Sequence, residues 1–578
     1  VNTYTAYDWF EVWNEPDGSW AWEDENVVDY TYLAEITKNE IVKENADAKT
    51  LIGVELSNGS FVRGTFDNGL WANMDMAVHH PYMDPNKVDT NYNNKLSGMT
   101  SAIVDAGGWK EQIITEVGWS TYTGGGATEE QAAIELAKQI FVADYHGIMT
   151  NMMYMGADQF WGGYDETHRE HNFGVILDHE LKIKPSAYTV KTAADMTAGS
   201  IFFGKIPYSN DNIEAYAYLA DGEITVVMWA NAAGNESTID VTFEGETLNG
   251  FDMIGNPIEG TNAFTVSEAP IYLKGFTKEW LLDSIAGITQ DYLNWHLEKS
   301  FADCKSNTGW DKAVTIMNKS VAIAEGLSKT AYPTEDVAFS YLDKNYKICE
   351  ELITEYKNGK IDISLGQLTG LLYVNNWISN MWTAVCMLSV DGDAMAPTAN
   401  TAISAVEIKM NTKRGEQTMS HTKAILDWAK KYYDKASGVY ALEGTNPMKA
   451  GVVKAWDAYA FHVASIADMI ADVEGPSHDN ILIQLPSSEC KLERLAKNTI
   501  YASVYNYRNT AALTGKVQLV DPSGNIIDTS DTITINAGES TKVELTISLG
   551  WLLNSGDYKL QFIENGNVIV ERKAYLIV

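Results

Sequence analysis

Apolar positions along the chain follow two periods in turn, and the changes of period divide it. From residue 1 to about 198, short apolar runs alternate with amphipathic stretches. The runs predict strands over 9–14, 50–55, 74–80, 112–116 and 158–164. Between them Leu33, Ile36 and Ile41 share one helical face, Leu96, Met99 and Ile103 a second, and Ile134, Ala137 and Phe141 a third. The third helix opens with Thr128-Glu129-Glu130-Gln131, the pattern of a capping box. Strand and helix in repeated alternation is the signature of βα units and a parallel sheet.

Over 199–276 the period shortens to strict alternation, with runs at 214–220 and 223–231 joined by Asp221-Gly222, a hairpin signal. This segment is expected to form a small β-sandwich. Helical period returns over 277–474, where Val337, Tyr341, Ile348 and Leu352 make one stripe behind Pro333-Thr334. Gly475-Pro476-Ser477 breaks that pattern. Short alternating strands then fill 480–578, including 499–507 and 516–520, with turns at Asp521-Pro522-Ser523-Gly524 and Asn565-Gly566, a pattern expected of an immunoglobulin-like β-sandwich.

Composition narrows the function classes. At 578 residues the chain exceeds a single core, which stops growing at about 250–300 residues, so several domains are expected. A formal charge of -36, from 42 basic and 78 acidic side chains, opposes binding to nucleic acid or an anionic membrane and suits a secreted or cell-surface protein acting on a neutral polymer. No apolar run reaches the roughly 18 residues of a membrane span. Four cysteines, Cys304, Cys349, Cys386 and Cys490, lack metal-site spacing, so no zinc site is expected. They are open to either a disulfide or buried free thiols. The 17 Trp and 30 Tyr supply flat faces that stack on sugar rings or fill cores.

Two strand ends carry chemistry. Phe10-Glu11-Val12-Trp13-Asn14-Glu15-Pro16 ends an apolar run in an Asn-Glu pair, and Ile113-Ile114-Thr115-Glu116-Val117-Gly118-Trp119 ends another in a carboxylate. The ends of parallel strands are where barrel active sites assemble. Cleaving a glycosidic bond requires a carboxylic acid to protonate the leaving oxygen and a second, ionised carboxylate. A separation of about 5–5.5 Å leaves no room for a water between them and selects retention of configuration through a covalent intermediate.

With His80-Pro81-Tyr82 lying between these motifs, the segment resembles strands four, six and seven of glycoside hydrolase clan A barrels, in feel closest to family 39 and its relatives. The resemblance covers roughly 1–276, since a β-sandwich with runs like 250–256 and 269–273 often follows such barrels. It implies a partial (β/α)8 TIM barrel over 1–198, strands four to eight, followed by the β-sandwich, the α-helical domain and the C-terminal immunoglobulin-like sandwich. Glu15 would be the acid/base, Asn14 the partner of the sugar 2-hydroxyl, Glu116 the nucleophile and Tyr82 a partner of that nucleophile. Trp161 would floor the cleaved-bond subsite. It implies neither metal nor organic cofactor, and an oligosaccharide or polysaccharide substrate. The chain departs from the clan in carrying nothing for strands one to three. The expectation is that these units, a strand-two Arg and a secretion signal lie upstream of Val1, and that residues 1–578 alone have little activity.

Each residue has a plainer reading. A lone strand-end Glu is usually a solvated carboxylate, and Asn14 could simply bond its own turn. His79 and His80 must face opposite sides of a strand, and His80 shares a face with Tyr82, which makes it the pocket candidate. Tyr82 and Trp161 could be core aromatics, and Trp13, Trp20, Trp22 and Trp119 either line sugar subsites or pack. A non-catalytic carbohydrate-binding or surface protein on a decayed barrel is the alternative from another class. The helical region is expected to be a spacer, and oligomeric state is not legible.

Overall fold

The computed structural model of the protein describes residues 8–19, 21, 27–45, 48–51, 59–68, 70–83, 88–148, 150–158, 163–177, 182–208, 210–220, 222–231, 238–413, 419–443, 448–474, 481–485, 489–492, 496–506, 511–547 and 555–577. Five strands form its first sheet: β1 (Trp9–Glu11), β2 (Lys49–Leu51), β3 (Met76–His79), β4 (Glu111–Val117) and β5 (Asn151–Met153). They lie side by side in chain order and every pairing is parallel. Helices Val27–Glu44, Gly59–Asp67, Asn93–Ser101 and Glu129–Tyr145 make the returns. Parallel neighbours in chain order, each pair linked through a helix, wind the sheet in one direction, and the result is part of a βα barrel.

The sheet has two unlike faces. Leu51, Met76, Val78 and Ile113 form a small buried cluster on the face that leads up to His80. Ala77, on the opposite face, packs with Tyr30, Phe61, Trp71 and Ile103 of the covering helices. Helix Glu129–Tyr145 starts at a complete capping box: the Thr128 side chain accepts from the Gln131 N–H while the Gln131 side chain accepts from the Thr128 N–H.

The last strand departs from the expected 158–164. The strand paired with β4 is Asn151–Met153, and Asp158 lies beyond it, its carboxylate bound by Lys184 at 2.9 Å and by the Gly174 N–H at 2.8 Å. Met152 and Met153 are neither β-branched nor aromatic, whereas the aromatic pair Phe160-Trp161 carries strand preference and draws the prediction away. Residues 159–162, Trp161 among them, lie outside the described residues.

A six-stranded antiparallel sheet follows, in the order Pro257–Ile258, Asn249–Phe251, Ile271–Lys274, Glu223–Ala230, Ile213–Ala220, Ile201–Lys205. Ala220 faces Glu223, so a two-residue turn joins those strands, with Gly222 at φ 84°. A separate pair, Thr238–Thr242 with Ala263–Ser267, accompanies it.

Helices then run from Lys278–Trp295 to Lys449–Val473. Leu365–Leu388 is buried along almost its whole length and meets the helical segment Ala102–Gly107 of the barrel part at close range. A Cβ on Gly370 would lie 2.0 Å from the Val104 carbonyl oxygen, so only glycine allows the approach. Two of its asparagines donate inside the bundle: Asn376 to Tyr459 at 2.6 Å and Asn380 to Tyr432 at 2.9 Å. Helix Ser420–Ala441 lies against the N-terminal ends of β2 and β4, through Lys49–Asp427 at 3.4 Å and a Lys431–Glu111 pair. One hydrophobic core runs unbroken from Val88 to Ala471. The helical region therefore shares its interior with both sheets. Cys304, Cys349 and Cys386 are buried free thiols.

The C-terminal segment has its own core. It comprises a three-stranded sheet, Ile481–Gln484, Asn498–Asn506 and Ser540–Ile547, and a larger sheet built on Leu513–Val520, Gly556–Glu564 and Asn567–Ile577. It is tied to the start of the chain by a buried pair in which Arg572 donates to Glu35 at 2.5 Å. No helix among the described residues is long and apolar enough to cross a membrane.

Candidate active site

Because β1, β3 and β4 run parallel, residues just past or near their C-terminal ends meet at one end of the sheet. Past β1 the chain turns sharply. Trp13 and Glu15 both adopt the left-handed conformation, with φ 68° and 48°. For a residue with a Cβ that costs about 1–2 kcal/mol, and such strain concentrates at functional sites. The turn is held by the Gly18 N–H donating to the Glu15 carbonyl at 3.0 Å, and by the Trp13 ring N–H donating to the Ala21 carbonyl at 2.9 Å.

Glu15, His80 and Glu116 converge so that their ligating atoms all lie within 4.8 Å of one another. His80 Nδ1 is 3.1 Å from Glu15 Oε1 and 3.1 Å from Glu116 Oε2. Its Nε2 is 2.9 Å from Thr115 Oγ1 and 3.6 Å from Glu11 Oε1. Ionised carboxylates only accept, so Nδ1 carries the hydrogen in the neutral ring, and the Thr115 hydroxyl can then donate to Nε2. A register shift in β4 between Ile114 and Val117 lets the consecutive residues Thr115 and Glu116 both reach the imidazole.

The environment divides the groups. His80 is enclosed, its side chain 3% exposed, whereas that of Glu15 is 12% and that of Glu116 27% exposed. Burial pushes the Glu116 carboxyl above its ordinary value; His80 opposes this, while Glu15, Glu11 and Glu170 add to it. His79 faces the other side, fully buried against Gln112 Oε1 at 3.0 Å, and burial holds its ring down to about 4.

Tyr82 packs edge-on to His80, with centroids 6.4 Å apart, and edge-on to Tyr154 and Phe173. Burial and the nearby Glu116 push its phenol up, so it stays a hydrogen-bond donor. Trp119 is 5% exposed and forms part of the wall of an adjoining cleft of about 450 Å3, with Tyr82, Tyr122, Arg169 and Phe173. Asn14 is exposed beside Glu15. Trp13 is 52% exposed, and Trp20 and Trp22 lie outside the described residues. Sequence reasoning missed Glu11, Thr115 and Tyr154. Tyr154 directly follows β5 and would have emerged had the last strand been set at Asn151.

The three clustered side chains have the donor types of a small metal site, one imidazole and two carboxylates. His80 Nδ1 also contacts both carboxylates directly.

No protein-family model and no curated protein matches the chain. Solved structures similar to it include glycoside hydrolases. A GH30 endoxylanase from Clostridium papyrosolvens aligns at 14% identity and TM-score 0.31 over 47% of this chain and 66% of that one. A GH39 enzyme from Xanthomonas axonopodis pv. citri aligns at 13% and 0.31 over 46% and 67%, and an alpha-L-arabinofuranosidase from Thermotoga maritima at 10% and 0.34 over 47% and 66%. The chain thus spans about two thirds of their length. At such scores the functional reading rests on the site's own residues.

Proposed function

We propose that the chain carries the catalytic pair of a retaining glycoside hydrolase acting on β-linked oligosaccharides or polysaccharides, with Glu15 as acid/base and Glu116 as nucleophile. The observation that supports it is the pair of strand-end carboxylates bridged by one imidazole, their nearest oxygens within 4.8 Å. That bound lies under the roughly 6.5–9.5 Å that an intervening water needs and suits direct attack by a carboxylate, for which the groups stand about 5–5.5 Å apart.

Glu116 attacks the anomeric carbon, the glycosidic C–O bond breaks, and Glu15 gives its proton to the departing oxygen. In the second step water attacks the same carbon, Glu15 takes the water's proton and the Glu116 ester is released. Negative charge therefore moves from Glu116 to Glu15 between the steps. His80 Nδ1 lies 3.1 Å from both, so one N–H can serve whichever carboxylate is ionised. Asn14 and Tyr82 contact the sugar and the nucleophile, and Trp13 and Trp119 flank neighbouring subsites. The acidic balance fits a secreted or cell-surface protein, and the C-terminal sheets are read as an immunoglobulin-like sandwich.

The test is incubation with a panel of 2-fluoroglycoside inactivators followed by peptide mass mapping. It is run on residues 1–578 and on the same protein joined to any coding sequence that precedes Val1. An adduct on Glu116 is expected. A folded protein that binds saccharides in calorimetry but forms no adduct with any sugar would instead support a carbohydrate-binding role.

A further inference from the structure

At the other end of the parallel sheet, away from the carboxylates, lies a cavity of about 720 Å3 between the N-terminal ends of the strands and helix Ser420–Ala441. Its charge runs against the rest of the molecule. In a chain of formal charge -36, seven lysines line it, from Lys38, Lys49 and Lys110 on the barrel side to Lys423, Lys430, Lys431 and Lys435 on the helix. Four carboxylates, Asp75, Glu111, Asp427 and Asp434, share the lining, leaving an excess of three positive charges.

Three of the four carboxylates are already engaged. Asp75 takes Lys38 at 2.8 Å, with Lys423 at 3.6 Å, and accepts from the Thr50 N–H and hydroxyl. Asp427 takes Lys423 at 2.5 Å and Lys49 at 3.4 Å, and Glu111 takes Lys431. Two lysines have no carboxylate partner recorded among the described residues. Lys110, 5% exposed, gives its ammonium to the Met74 carbonyl and lies 4.1 Å from the Trp71 ring centroid. Lys435 lies over the rings of Tyr432 and Trp456, at 4.9 and 5.4 Å. The remaining walls are apolar and partly flat, with Trp9, Trp428, Met74 and Met76.

We propose that this cavity is a binding site for a small molecule that joins two or more negative charges to a flat apolar ring, the charges meeting Lys110 and Lys435 and the ring lying against Trp9 or Trp428. Gathered cations with too few anions are costly when desolvated, and a bound polyanion removes that cost. Burial holds the Lys110 ammonium down to about 7, with Lys38 and Lys423 adding and Asp75 and Asp427 opposing. Burial and Lys431 hold Lys435 down to about 8 against Glu111. A bound polyanion restores both as full cations, so binding near neutral pH takes up protons. The site is independent of the carboxylates at the other end of the strands.

Isothermal titration of the 578-residue protein with pyrophosphate, ATP and adenosine tests this. It is run in two buffers of different ionisation enthalpy, on wild type, Lys110→Met, Lys435→Met and the control Lys329→Met, a lysine 77% exposed elsewhere. The expected result is saturable one-to-one binding of ATP with proton uptake, pyrophosphate weaker by about tenfold, and no binding of adenosine. Lys435→Met should weaken ATP by about tenfold or more while its unliganded melting temperature and the affinity of Lys329→Met stay unchanged. If Lys110→Met does not fold, Lys435→Met carries the test alone. No saturable heat with ATP or pyrophosphate, or equal affinities in wild type and Lys435→Met, overturns the proposal.

Discussion

The hydroxyl of Thr115 sits 2.9 Å from His80 Nε2 and holds the tilt of the ring whose other nitrogen meets the two carboxylates. Thr115→Val keeps the shape of the side chain and deletes that bond, worth about 1 kcal/mol. The expected outcome is a roughly tenfold fall in kcat with KM little changed and a shifted acid limb in the pH profile, restored by Thr115→Ser. Unchanged kcat in Thr115→Val would count against a positioning role.

The two carboxylates should respond differently to removal. Glu15→Ala is expected to lower kcat by about 10²–10⁴ for substrates with poor leaving groups and much less for activated aryl glycosides, since only the former need the proton. Added azide should give a glycosyl azide of retained configuration with Glu15→Ala and of inverted configuration with Glu116→Ala. Chromatographic and NMR identification of the azide product reads this out, and a swapped stereochemistry would reverse the roles.

His79 makes stability depend on acid. Its folded value, about 4, lies below the ordinary 6.5 because burial disfavours the charged ring. Its contribution is therefore present above pH 6.5 and is lost as pH falls towards 4. Between about pH 7 and pH 5 the loss is about 2 kcal/mol. Urea unfolding at the two pH values should show that difference shrinking by about this amount in His79→Gln.

Asp144 works the other way. Burial raises it to about 7, and the Tyr218 hydroxyl, donating at 2.7 Å, offsets this only in part. Its folded value is above the unfolded one, so stability is full below about pH 4 and lost as pH rises through 7. Asp144→Asn, which can still accept from Tyr218, should raise the unfolding free energy in denaturant titrations by an amount that grows from about pH 4 and levels off above pH 7, reaching about 2 kcal/mol or more.

The contact between the barrel part and the helical region should tolerate no added carbon at Gly370. Gly370→Ala places a Cβ 2.0 Å from the Val104 carbonyl and is expected to cost about 3 kcal/mol in denaturant unfolding, despite the better helix propensity of Ala.

What could be read in the sequence follows from what is local. The period of apolar residues located β1 to β4 because each lies in a short apolar run, and the Asn14-Glu15 turn announced itself by following one directly. The last strand escaped because Met152 and Met153 carry little strand signal. Thr115 escaped because simple alternation puts it and Glu116 on opposite faces, and only the register shift in β4 brings both to His80. The lysine cavity could not be read at all: Lys49, Lys110 and Lys435 are far apart along the chain, each an ordinary surface lysine until the fold gathers them.

The buried pair between Arg572 and Glu35 spans 537 positions. A ribosome adds about 5–20 residues each second, so the Glu35 carboxylate emerges roughly half a minute to two minutes before its partner exists. During that interval the helix Val27–Glu44 lacks the guanidinium that Glu35 meets in the folded protein. The strand Asn567–Ile577 therefore carries the charge that the helix Val27–Glu44 needs in order to bury Glu35 as an anion.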